Sequence, residues 1–308
     1  MSAPDVRQFH PELVTITDGL DFPEGPVAMP DGSIVVVEML GERLTRVHPD
    51  GSTTPIAEIA GGPNGAALGS AGEFYICNNG RAFARQEFQG LTLPGRFDPD
   101  RHLGGRIQRV DPDGTVTDLY TECHGRPLRA PNDLVLDGHG GMWFTDHGIR
   151  DRAARTSDLT GIYHARLDGS SITEVVFPTE APNGIGLSPD GDRLYWAETH
   201  TGRLHQRVIT APGEVKKPGL FDPSVVLYSA PGNHLFDSLA VDAAGWVCVA
   251  TIAHGGITAV SPDGTQVEHH ATDDPLTTNV CFSGDEHDRV ASVTLSATGR
   301  LAQMPWPR

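Results

Sequence analysis

Six polar residues, Glu24, Asn64, Asn132, Asn183, Asp237 and Asn279, recur at matching places along this sequence. Each follows Pro, Phe or Thr and precedes a short apolar run. None is Lys and none is apolar. Carboxylate and amide oxygens brought to one partly buried point would repel one another unless a cation lay among them. Hard oxygen donors without Cys or His suit calcium or magnesium, and a wide, flexible ring suits calcium. Zinc, manganese and iron(II) are the other divalent ions considered. An isolated Asn or Asp at a strand entrance commonly bonds its own backbone in a turn. Six in register point instead to one shared site.

The repeat that carries these residues sets the architecture. Its copies read FPEGPVAMPDGSIVVVE from Phe22, GPNGAALGSAGEFYICN from Gly62 and APNDLVLDGHGGMWFTD from Ala130. They continue as APNGIGLSPDGDRLYWAE from Ala181 and LFDSLAVDAAGWVCVAT from Leu235, with a weaker TTNVCFSGDEHDRVASVT from Thr277. Third strands with Asp-Gly turns follow, as in RIQRVDPDGTVTDLY. Asp-Gly supplies the positive φ of tight hairpins, and the β-branched and aromatic runs supply strand propensity. The fold class is therefore all-β: a six-bladed β-propeller of four-stranded antiparallel blades, in one domain over residues 1–308. The first strand of each blade lines the channel, so the six polar residues fall in one layer.

The last repeat has room for only about three strands, and PELVTITDG, upstream of the first, reads as the N-terminal strand that closes the last blade and leaves no free edge. No substantial helix is expected. The step from Asn64 to Asn132 is 68 residues, against 40 for the step before it. The surplus, residues 81–105, is expected to form a lid over the channel mouth, since long loops in compact domains tend to carry function.

FPEGP at Phe22–Pro26, APND…WFTD at Ala130–Asp146, PNGIGLSPDG at Pro182–Gly191 and FDSLAVD at Phe236–Asp242 resemble the SMP-30/gluconolactonase/LRE-like family of six-bladed propeller lactonases. Diisopropylfluorophosphatase and paraoxonase are more distant relatives of that family. The resemblance implies a calcium-dependent lactonase whose metal ligands fall on Glu24, Asn132, Asn183 and Asp237, with Asp237 also the candidate general base. Asn64 and Asn279 are left in the channel without a direct metal role, Asn64 as a candidate substrate contact. The sugar lactonases of the family carry a substrate-binding Arg where this chain has Ala130; Arg126 and Arg129 lie nearby. Metal polarisation of a carbonyl, with a carboxylate taking a proton from water, suits lactone opening.

Other candidates are weaker. His147, His200 and His254 follow strand ends and, with Arg129, are candidate substrate contacts; Gly-Gly beside His254 allows close approach. Asp146 and Glu198 end second strands, where bonding to a neighbouring turn explains them. Trp143, Trp196 and Trp246 recur in second strands as inter-blade packing. Cys77, Cys123, Cys248 and Cys281 are far apart and read as free thiols.

A formal net charge of −17 argues against nucleic-acid and anionic-membrane partners. No segment has the length of a membrane span, and the N-terminus lacks a secretory pattern, so a cytoplasmic protein is expected. The sequence leaves the oligomeric state open. Nucleotide-loop and nucleophile-elbow patterns are absent. Competing readings are a phosphotriesterase-like hydrolase on the same metal layer, a non-enzymatic binding propeller, and a strictosidine-synthase-type relative, which need not keep the ligands.

Overall fold

Short β-branched runs separated by Gly and Asp turns fold, in this computed structural model, into six antiparallel sheets arranged as a propeller. The structure describes residues 5–220, 222, 225–284 and 289–308. The turn 285–288 of the weak sixth repeat lies outside them, as do residues 1–4 of the N-terminal stretch. No α-helix occurs among the described residues. None is therefore long and apolar enough to cross a membrane.

Blade one is Pro23–Ala28, Ile34–Glu38, Arg43–Val47 and Thr53–Glu58, each strand paired with the next. The first strands of blades two to six are Pro63–Leu68, Pro131–Leu136, Pro182–Leu187, Leu235–Val241 and Thr277–Ser283. Neighbouring first strands lie beside one another around the ring, and the sixth returns to the first. The closing strand is Val14–Thr17, which pairs antiparallel with Arg300–Pro305 and completes blade six, as expected. One strand was not anticipated. Val6–Phe9 adds to blade five in parallel, beside Val267–Ala271.

The core is divided into wedges, one per seam between blades. Val35, Val37, Ile76 and Val110 fill the seam between blades one and two. Trp143, Ile162, Ile185 and Trp196 fill that between three and four, so two of the recurring tryptophans are packing residues. Trp246 is a third: half-buried, it packs on the wedge between blades five and six, with the Arg308 guanidinium 4.1 Å from its ring centre. The four cysteines are free. Such seams hold the first strands rigidly in register, which fixes what those strands present to the axis.

Candidate functional site

Every first strand breaks its pairing register at the recurring polar residue. The slips fall between Glu24 and Val27, Pro63 and Ala66, Pro131 and Leu134, Pro182 and Ile185, Phe236 and Leu239, and Thr277 and Asn279. A β-bulge releases a residue from the ladder and re-aims its side chain. Five of the six, Glu24, Asn64, Asn132, Asn183 and Asp237, line one cavity of about 420 Å³. Asn279 stands behind it, its Nδ2 donating to Glu24 Oε2 at 3.4 Å.

The strands approach closely where these residues turn inward. A Cβ on Gly65 would lie 2.7 Å from the Asn132 carbonyl oxygen, and one on Gly184 would strike the Leu239 amide, so only glycine fits behind Asn64 and Asn183. Phe22 and Ala181, two residues before Glu24 and Asn183, have φ of 60° and 47°. Left-handed geometry in non-glycine residues is strained and persists where the surroundings over-determine it. Carboxylates ending the second strands supply that constraint. Asp146 accepts the N–H groups of Arg129 and Ala130, both at 2.7 Å. Glu38 accepts from the Asp21 N–H at 2.7 Å and Glu198 from the Glu180 N–H at 3.2 Å. Asp146 and Glu198 thus bond to neighbouring loops, as expected for strand-end residues.

The cavity floor is electrostatically unfavourable without a partner. Burial, then the charges of Asp237 and Asp133, push Glu24 well above the usual carboxylate range. Burial, reinforced by Asp133, pushes Asp237 up to about 7, although Asn183 bonds to it. Asn132 Oδ1 and Asn64 Oδ1 are buried acceptors with no donor. Among the described residues no group of three or more His, Cys, Asp or Glu is placed to hold a metal. The floor offers two carboxylates and amide oxygens instead. Repelling carboxylates beside orphaned acceptors are the features a hard divalent cation would relieve, so the residues present fit such a group.

Sequence reading missed Asp133, which is 5% exposed and sits directly after Asn132. Burial pushes it up to about 7, while Ser238 and the Leu134, Ile185 and Leu239 amides bond to it, tying blade three to four and five. The signal was present: the equivalent residue is Gly25, Gly65, Gly184 or Ser238 in four other blades, so an Asp there stands out.

His147 and His200 both line the cavity, with ring centres 5.8 Å apart. Burial, then the neighbouring His200, lowers His147 to about 4, so its imidazole is neutral at ordinary pH. Arg129 and His254 are not among the lining residues. The Arg129 guanidinium bonds to Asp158 at 2.8 Å, and His254 is packed between His234 and His269. Arg126 pairs with Glu174 at 3.2 Å.

Two hairpins complete the wall. The segment expected as a lid contains the pair Arg85–Phe88 and Leu91–Pro94. It places Phe83, Gln86, Arg96 and Phe97 on the cavity. A shorter hairpin, Arg150–Asp151 with Thr156–Ser157, was not anticipated, and brings Arg150 and Arg152 to the same mouth. Ala130 packs with Ala82 and Ile149 against Phe83 and Phe97.

A sequence profile of the SMP-30/gluconolactonase/LRE-like region matches residues 22–295. The chain is 26% identical over 254 residues to lactonase drp35 of Staphylococcus haemolyticus, covering 82% of this chain. It spans 70% of that relative's length and 64% of the corresponding lactonase of Staphylococcus epidermidis. Its fold is similar to that of a gluconolactonase from Xanthomonas campestris, with TM-score 0.74 and 22% identity over 96% of this chain and 89% of that one. It is also similar to regucalcin, a calcium-binding protein from Agrobacterium tumefaciens, with TM-score 0.71 and 19% identity over 99% and 95% of the two chains.

Proposed function

The chain belongs to the SMP-30/gluconolactonase/LRE-like family, and on that premise we propose that it is a metal-dependent hydrolase opening a small lactone. The observation that carries this reading is the cavity floor, where buried Glu24 and half-buried Asp237 share the lining with Asn132, whose Oδ1 has no donor. The lactonase names of its relatives support the substrate class, and the calcium-binding neighbour supports the cation. Glu24, Asn132, Asn183 and Asp237 would hold it, with calcium first by donor hardness and magnesium, manganese, zinc or iron(II) as alternatives. When bound, the cation would supply Lewis-acid polarisation of the substrate carbonyl.

Asp237 acts as the general base, taking one proton from the attacking water. The water oxygen bonds to the carbonyl carbon, the ring C–O bond breaks, and the proton passes to the departing ring oxygen, leaving a hydroxy acid. Asn183 orients Asp237 by donating to it. Neutral His147 offers hydrogen bonds to substrate, and Phe22, Phe83 and Phe97 along the wall exclude competing water.

The test is a panel of sugar-acid and alkyl lactones assayed with EDTA-treated protein reloaded with Ca²⁺, Mg²⁺, Mn²⁺, Zn²⁺ or Fe²⁺. Lactone turnover that needs added metal, and is lost in a folded Asp237→Asn variant, supports the reading. No lactone turnover with any metal overturns it, and turnover of phosphotriesters alone would move the chemistry to that class.

A further inference from the structure

The cavity changes character from floor to mouth. Its floor is acidic, with Glu24 and Asp237. Its wall carries the apolar side chains of Phe22, Met39, Phe83, Ile149 and Ile252. Its exposed lining residues, Arg96 just after one hairpin and Arg150 and Arg152 from the other, put positive charge at the mouth. Burial, then the charges of Arg150 and Arg152, lower His200, so both guanidiniums lie close to this cavity residue. Arg150 shares its charge with Glu180 at 3.1 Å. No carboxylate among the described residues pairs with Arg96 or Arg152.

This cationic mouth stands out on a chain of net charge −17, whose general field repels anions. A divalent cation on the floor would balance Glu24 and Asp237, leaving the mouth as the charge a ligand meets. Resting on the lactonase reading above, we propose that the substrate is an anionic lactone: a ring directed to the floor, an apolar spacer along the apolar wall and a carboxylate held by Arg96, Arg150 and Arg152. Guanidinium groups suit this task because their planar donor pairs match a carboxylate. Hydrolysis would then yield a hydroxy dicarboxylate.

The experiment compares a γ-alkyl lactone with its equal-length counterpart ending in a carboxylate, using metal-loaded protein. Wild type is expected to favour the carboxylated lactone in kcat/KM by about tenfold at low ionic strength, with the preference shrinking as salt screens it. The Arg150→Gln/Arg152→Gln double variant should lose most of that ratio through KM, and Arg150→Lys/Arg152→Lys should restore part of it. Equal turnover of both lactones, or a preference untouched by salt and by the Gln variant, overturns the anionic-substrate inference while leaving the lactonase reading intact. Failure of both lactones overturns the inference together with the lactonase reading beneath it. A near-ultraviolet circular dichroism spectrum matching wild type shows that each variant is folded.

Discussion

Replacing Asp237 with Asn should stabilise the metal-free protein while abolishing its response to metal. Asp237 rises from 3.8 to about 7, chiefly because burial disfavours its charge. That is three powers of ten in proton affinity, or at most about 4 kcal/mol at roughly 1.4 kcal/mol each, since Asp237 is only half-buried. Because the folded pKa lies above the unfolded one, the penalty is absent below about pH 4, grows as the pH rises, and is complete above about pH 7. Asn removes the charge, keeps an acceptor for Asn183, and relieves Glu24, which Asp237 pushes upward. With an unfolding entropy near 2.1 cal/mol/K per residue, 308 residues give about 0.65 kcal/mol/K, so the gain is at most about 6 °C in Tm at pH 8. Thermal melts in EDTA at pH 5 and pH 8 should show the variant pulling ahead of wild type only at the higher pH. Added calcium should then raise wild type alone. A variant that melts below wild type in EDTA at pH 8, or a gap that does not change with pH, would refute the account of a charge-strained floor.

Asn132→Leu should weaken calcium binding by at least about 100-fold, since losing even a supporting partner of a metal site costs 10–100-fold. The metal-free melt should not fall, because the variant deletes an orphaned acceptor; calorimetric titration and melts together check this. His147→Gln should flatten the acid limb of stability. Its folded value of about 4 lies below the unfolded 6.5, so wild type should lose about 2 kcal/mol relative to the variant as pH falls from 7 to 4, allowing for partial exposure. Urea melts across that range measure the difference. Arg308→Ala should cost about 3 kcal/mol, because it strips an ion pair from buried Asp242 at 3.0 Å and from Glu268 at 2.5 Å. A chemical melt within 0.5 kcal/mol of wild type, roughly the scatter of ordinary surface changes, would refute that.

The sequence alone determined the six-fold repeat, the strand that closes blade six and the alignment of Glu24, Asn64, Asn132, Asn183, Asp237 and Asn279. These are local matters of turn chemistry, strand propensity and period, and a repeat prints them six times over. Resemblance then singled out four of the six as metal ligands. Tertiary structure decided what sequence spacing cannot express. The bulges that re-aim the six side chains depend on how each first strand meets its neighbours. Arg129 and His254 looked available, but Asp158 holds one and the other stacks with His234 and His269 away from the cavity. Asp133 stands out in the repeat alignment, but only the fold shows blades three, four and five meeting around it. Arg96 lies more than fifty residues from Arg150 and Arg152, and the packing of blade two's loop against blade three's, through Ala82, Ala130 and Ile149, brings them to one opening.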